Sequence, residues 1–70
     1  MAKYVALIAR TRTGFSAHVP DLPGCIAAAA TYSETVSLIH EAVEFHIEGM
    51  VQHGETVPKP TTLAEFLEVP

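Results

Sequence analysis

An α+β domain, with three short antiparallel strands followed by one long helix, is the fold class this sequence predicts, on three observations. Residues 3 to 10, KYVALIAR, are strand-prone and contain neither Gly nor Pro. Residues 15 to 19, FSAHV, alternate strictly between apolar and polar, as a half-buried strand does. At Thr31 the stretch TYSE opens a run with no proline, and no glycine before Gly49. That is the pattern of a capped helix.

In the first strand Val5, Leu7 and Ala9 share one face and Tyr4, Ala6 and Ile8 the other. Both faces are apolar, so the strand is expected to be covered twice, by its own helix and by a second body. Gly14, in the TRTG connection, is expected to supply a positive φ. In the second strand Phe15, Ala17 and Val19 should point inward, with Ser16 and His18 outward. Pro20 ends that strand because it has no N–H to donate.

The stretch PDLPGC, residues 20 to 25, packs two prolines, an acid, a glycine and the only cysteine into six positions. Pro20 and Pro23 fix φ and restrict Val19 and Leu22 before them. Asp21 can accept local backbone amides, and Gly24 permits a positive φ. Leu22 is expected to plug the core. The stretch reads as a stiff corner, and so as an exposed landmark for a partner. CIAAAA, residues 25 to 30, suits strand or helix by composition, since alanine is a good helix former. The better helix start at Thr31 favours a third strand.

The helix is expected from about residue 32 to 53, capped by Thr31 and Glu34 and stopped at Gly54. Glu34, Ser37, Glu41, Glu44, Glu48 and Gln52 fall within one arc of about 80°. Val36, Ile39, Val43, Ile47 and Met50 form the main apolar stripe, with His46 among them. Leu38, Ala42, Phe45 and Gly49 form a second stripe, making the apolar arc wider than the ~100° that covers one sheet. Beyond Gly54, ETVPKP is a proline-fixed linker. TTLAEFLEVP holds a second T-x-x-E start at Thr62 and Glu65. A short helical turn and a strand at about 65 to 69 are equally open there.

Seventy residues make one domain, and a chain of that size buries only roughly 60% of its unfolded surface. One cysteine gives no internal disulfide, and no Cys/His set has zinc-finger spacing. Self-association, as a homodimer or higher, is the remaining support. The residues expected to meet a second copy are Tyr4, Ala6, Ile8, Leu38 and Phe45. Formal net charge is −4, and seven of the eight acids lie from Glu34 onward. The balance disfavours direct nucleic-acid binding and invites a basic partner. No apolar run approaches the roughly 20 residues of a membrane span, and MAKYVALIAR lacks the layout of a signal peptide. The expected location is the cytoplasm, with no membrane partner.

Catalysis and metal binding find little support. Cys25 could approach His18, but no third orienting group is evident, and a buried structural cysteine is far commoner. His40, His46 and His53 are six and seven residues apart, so none matches the i, i+4 spacing of a helical zinc site. Residues 3 to 19 hold no Asp or Glu, so the clustered carboxylates of a two-metal nuclease are absent. A non-enzymatic protein without catalytic, metal or cofactor residues is expected.

Taken in order, YVALI, Gly14 with Phe15, PDLPGC, Thr31 with Glu34, EAVEFHIEGM and Gly54 followed later by VPKP resemble the HicB-type antitoxins of bacterial toxin–antitoxin pairs. The resemblance covers about residues 3 to 60. It departs at Ala29 and Ala30, where relatives tend to carry Gly-Asp, and at Arg12 and Thr13, where they are often acidic. It implies a partial ribonuclease-H-like β-β-β-α-β fold, with a short fourth strand at about 65 to 69. It also implies neutralisation of a small basic HicA-type ribonuclease toxin by direct binding. On that reading Glu41, Glu44 and Glu48 steer the toxin, while Asp21, Leu22 and Pro23 at the corner hold it. Larger relatives append a DNA-binding segment. Nothing after Pro60 is long enough for one, so residues 1 to 70 are expected to form a single domain without it. The rival reading is a stand-alone oligomeric ligand-binding or structural module of the same fold.

Overall fold

The computed structural model describes residues 2 to 70. Its elements are β1 (Leu7–Arg10), β2 (Phe15–His18), β3 (Ile26–Ala29) and α1 (Tyr32–Gln52). The strands form one antiparallel sheet in the order β1-β2-β3. This is the expected α+β arrangement of three strands and one long helix.

Pairing is shorter than the strand-prone sequence. Leu7 pairs with His18 and Arg10 with Phe15, while residues 2 to 6 approach without ladder bonds. The register puts Ala6 opposite Val19, whose N–H is already given to the Cys25 carbonyl. Pro20, next in line, has none to give. Gly14 is not among the glycines at positive φ, which are Gly24 and Gly54. Its need is closeness instead: a Cβ there would lie 2.2 Å from the Ala29 carbonyl oxygen. The hairpin passes against the end of β3, and only a bare Cα fits.

One row of side chains, Ile8, Ala17 and Ala27, faces the helix, while Leu7, His18 and Ile26 lie on the other face. Ala17, Val19, Leu22, Cys25 and Ile39 are the buried apolar core, with Tyr4, Ile8, Ala42, Val43 and Ile47 packed around it. Leu22 is wholly buried, a gain of about 1.5–3 kcal/mol. The corner is built by short-range bonds: the Leu22 N–H donates to the Val19 carbonyl and the Cys25 N–H to the Leu22 carbonyl.

Thr31 caps α1, its hydroxyl accepting the Glu34 N–H at 3.2 Å and donating to the Glu34 carboxylate at 2.8 Å. The return bond of the box thus ends on the hydroxyl rather than on the backbone amide. At the other end the His53 ring contacts the Gly49 carbonyl at 2.7 Å, and Gly54 turns the chain at φ +69°. The helix lies across β3 and β2 and does not reach over β1.

No fourth strand forms among the described residues. Residues 55 to 70 have no regular structure, and the strand expected at 65 to 69 finds no partner within the chain. The longest dimension of the molecule is 46 Å and its radius of gyration 13.4 Å. A compact chain of this length would have a radius near ~11 Å, and α1 itself spans only about 32 Å. The segment after Thr62 stands clear of the body, with Leu63, Phe66, Leu67 and Val69 80–96% exposed.

Candidate functional site

The PDLPGC corner does two things. Leu22 points into the core, so the face it offers a partner is Pro23, which is exposed. Asp21 is engaged within the chain. Its Oδ2 accepts the backbone N–H groups of Thr61 at 2.9 Å and Thr62 at 3.0 Å. Its Oδ1 accepts their hydroxyls at 3.1 and 2.8 Å. Four donors on one carboxylate favour the charged form. Led by the bond from the Thr62 amide, they pull its pKa from 3.8 down to about 2. The Tyr4 hydroxyl donates to the Pro58 carbonyl, so the linker is tied to the sheet at two points, 40 and 54 residues apart in sequence.

Two apolar hollows flank the helix because it is shifted toward β3. On the β1 side a groove of about 850 Å³ is lined by Lys3, Tyr4, Ala6, Val36, Val43 and Ile47, with Glu44 and Glu48 on its rim. On the β3 side a shallow hollow of about 430 Å³ is formed by Ile26, Ala28, Leu38, Ala42 and Phe45, with Glu41 beside it. There Ile26 is 71% and Phe45 79% exposed. A third hollow, about 680 Å³, brings Pro23 together with Phe45, His46 and Met50. Of the acids expected to act as one row, Glu44 lines the β1-side groove, Glu41 the β3-side hollow, and Glu48 both the groove and the hollow at Pro23.

The residues expected to meet a second copy separate as well. Tyr4 and Ile8 pack on the molecule's own core, since their face of β1 is the inner one. The bare face of β1 belongs to Leu7 and Ala9, while Ala6 stays exposed at the groove. Leu38 and Phe45 remain open to solvent. Cys25 is buried, and burial raises its thiol pKa, which opposes a nucleophilic thiolate. His18 is exposed on the opposite face of the sheet, so the two are not brought together. Among the described residues, no group of three metal-ligating side chains occurs, and no helix is long and apolar enough to cross a membrane.

Three contributors escaped the sequence reading. Thr35 is wholly buried on the inner face of α1, its hydroxyl donating to the Thr31 carbonyl at 2.8 Å. A threonine four residues after a cap was the available signal. Thr61 and Thr62 had no signal, because nothing local ties them to an acid 40 residues earlier.

A family profile described as the HicB_like antitoxin of bacterial toxin-antitoxin system matches residues 4–70. The chain belongs to this family. Three curated proteins are similar to this chain. An uncharacterized 14.9 kDa protein from the rep-hol intergenic region of Haemophilus phage HP1 is 37% identical over 67 residues, covering 96% of this chain and 50% of its own length. The chain thus spans half of that phage relative. A UPF0150 protein of Thermoplasma acidophilum is 34% identical, covering 81% of this chain and 84% of its own. A UPF0150 protein of Synechocystis is 32% identical, covering 80% and 71%. Among solved structures, a chain of a HicA3 and HicB3 toxin-antitoxin complex superposes with a TM-score of 0.72 at 32% identity, covering 84% of this chain and 69% of its own.

Proposed function

We propose that this HicB-like chain is a non-enzymatic cytoplasmic antitoxin that neutralises a small basic HicA-type ribonuclease toxin by direct binding, and that it self-associates. The observation carrying the first part is the likeness to a chain of a HicA3 and HicB3 complex across 84% of this sequence. A toxin that grips RNA phosphates is basic, and this chain carries formal charge −4. The toxin-binding surface is the exposed corner at Pro23 with the neighbouring Phe45 hollow, approached over Glu41, Glu44 and Glu48. Self-association is supported by the apolar side chains left open in so small a domain.

The test is co-expression with any small basic protein whose reading frame adjoins this chain's own. Restored growth and a co-purifying complex are expected, with both lost in Pro23→Glu/Phe45→Glu, a pair of exposed positions. A toxin that stays active in the presence of the chain, without forming a complex, would replace this reading with the stand-alone oligomeric module.

A further inference from the structure

We propose that segment 63–69 of one copy docks onto a second copy as an added strand beside β1, and that the exchange is reciprocal. β1 is an edge strand, with a row of backbone N–H and C=O groups open to a new partner. The groove alongside it is apolar where Ala6, Val36, Val43 and Ile47 line it, and α1 leaves it open by not reaching over β1. The same chain carries a segment of matching character. Leu63, Phe66, Leu67 and Val69 are 80–96% exposed although that groove lies free.

The segment is left out of its own groove although its root lies beside it, Tyr4 both lining the groove and donating to the Pro58 carbonyl. Thr61 and Thr62 are pinned on Asp21, and TTLAEFLEV contains no Gly or Pro to reverse the chain immediately after them. A segment held out from its own body reaches another copy more readily. Strand alternation then sends Leu67 and Val69 into the groove. Phe66 falls on the opposite face, over Leu7, which is 44% exposed. Glu65 shares the face of Leu67 and Val69 and favours the Lys3 side of the groove, away from Glu44 and Glu48 on the helix side, while Glu68 falls with Phe66 on the opposite face.

The inference rests on the self-association reading, and the experiment separates the two. Light scattering at micromolar concentration is expected to give a dimer or larger for the full chain, and a monomer for Phe66→Asp/Leu67→Asp with unchanged helical circular dichroism. Mixing one tagged chain carrying Ala6→Cys with another carrying Leu67→Cys is expected to yield a disulfide-linked pair, above the background set by the parent chains. A monomeric parent would overturn both the exchange and self-association. A dimer that survives the double aspartate and gives no mixed disulfide would overturn the exchange alone. So would a chain carrying both cysteines that closes only on itself, at monomer mass.

Discussion

Two stretches of seven residues have opposite fates, and the more apolar one is left in solvent: residues 19 to 25 hold three apolar side chains and residues 63 to 69 hold five. In residues 19 to 25, Val19, Leu22 and Cys25 are at most 3% exposed. In residues 63 to 69, Leu63, Phe66, Leu67 and Val69 are at least 80% exposed. Hydrophobicity does not separate them; backbone fixation does. Pro20, Pro23 and Gly24 at φ +87° hold the first stretch in a turn with its own hydrogen bonds, so burying three side chains costs little further ordering. The second lacks such fixing residues beyond the clamp at its root, and no surface of its own chain receives it.

The largest effect should come from removing the plug. Leu22→Ala is expected to destabilise the fold by about 2–5 kcal/mol, the range for buried leucines. Leu67→Ala should leave monomer stability within about 0.5 kcal/mol while weakening self-association. Denaturant midpoints measured at low protein concentration decide this. Equal losses for the two would mean that segment 63–69 already packs within its own chain.

Next come the glycines, which differ in kind. Gly24→Val forces a branched residue into a positive φ, a strain of ~1–3 kcal/mol. Gly14→Val places a Cβ against the Ala29 carbonyl and the Ala30 backbone, neither of which is a flexible side-chain end. Gly14→Val is therefore expected to melt lower than Gly24→Val. The reverse order would show that the hairpin can shift away from β3.

Below these stands the Asp21 clamp. Its carboxylate has a pKa of about 2 when folded against an ordinary 3.8. A depressed carboxylate pKa contributes stability that is complete above the unfolded value and lost as pH falls through the folded one. The clamp should therefore be intact above about pH 4 and release as pH falls toward 2. The amide proton shifts of Thr61 and Thr62 should titrate together with a midpoint near 2, and Asp21→Asn should abolish that titration. Asp21→Ala should speed hydrogen exchange at both amides by about tenfold. Shifts that stay flat from pH 5 to 1.5 would place the threonines elsewhere.

How far the sequence could be read follows the same division. The helix start at Thr31, the stop at Gly54, the alternation of Phe15 to Val19 and the burial of Leu22 were legible because each is set by near neighbours. The inner face of β1 was not: with Tyr4, Ala6 and Ile8 as apolar as Val5, Leu7 and Ala9, only the position of α1 decides between them. Gly14 was recognised as a turn residue, but its reason, contact with β3, is long-range. The separation of Glu41 from Glu44, with Glu48 lining a hollow on each side, depends on the sideways shift of α1 toward β3.

That separation gives the smallest effect and the sharpest use of the comparison, since it concerns a surface that contributes little to folding. Glu44 is exposed, 3.4 Å from His40 in an i,i+4 pair, and such pairs add little stability. Its value lies in long-range attraction. If the acids act as one field on a basic toxin, Glu41→Gln, Glu44→Gln and Glu48→Gln should each slow association by a similar few-fold at low ionic strength. The effect should fade as added salt shortens the screening length from about 30 Å at 0.01 M to 8 Å at 0.15 M. Dissociation should hardly change, because steering acts before contact. If the toxin instead seats at the corner and the Phe45 hollow, which Glu41 and Glu48 line, Glu41→Gln and Glu48→Gln will also speed dissociation while Glu44→Gln will not. Association and dissociation rates of the three single variants on immobilised toxin, at two salt concentrations, distinguish a field from a contact. An unchanged association rate in all three would reduce the acids to an ordinary solvated face of α1.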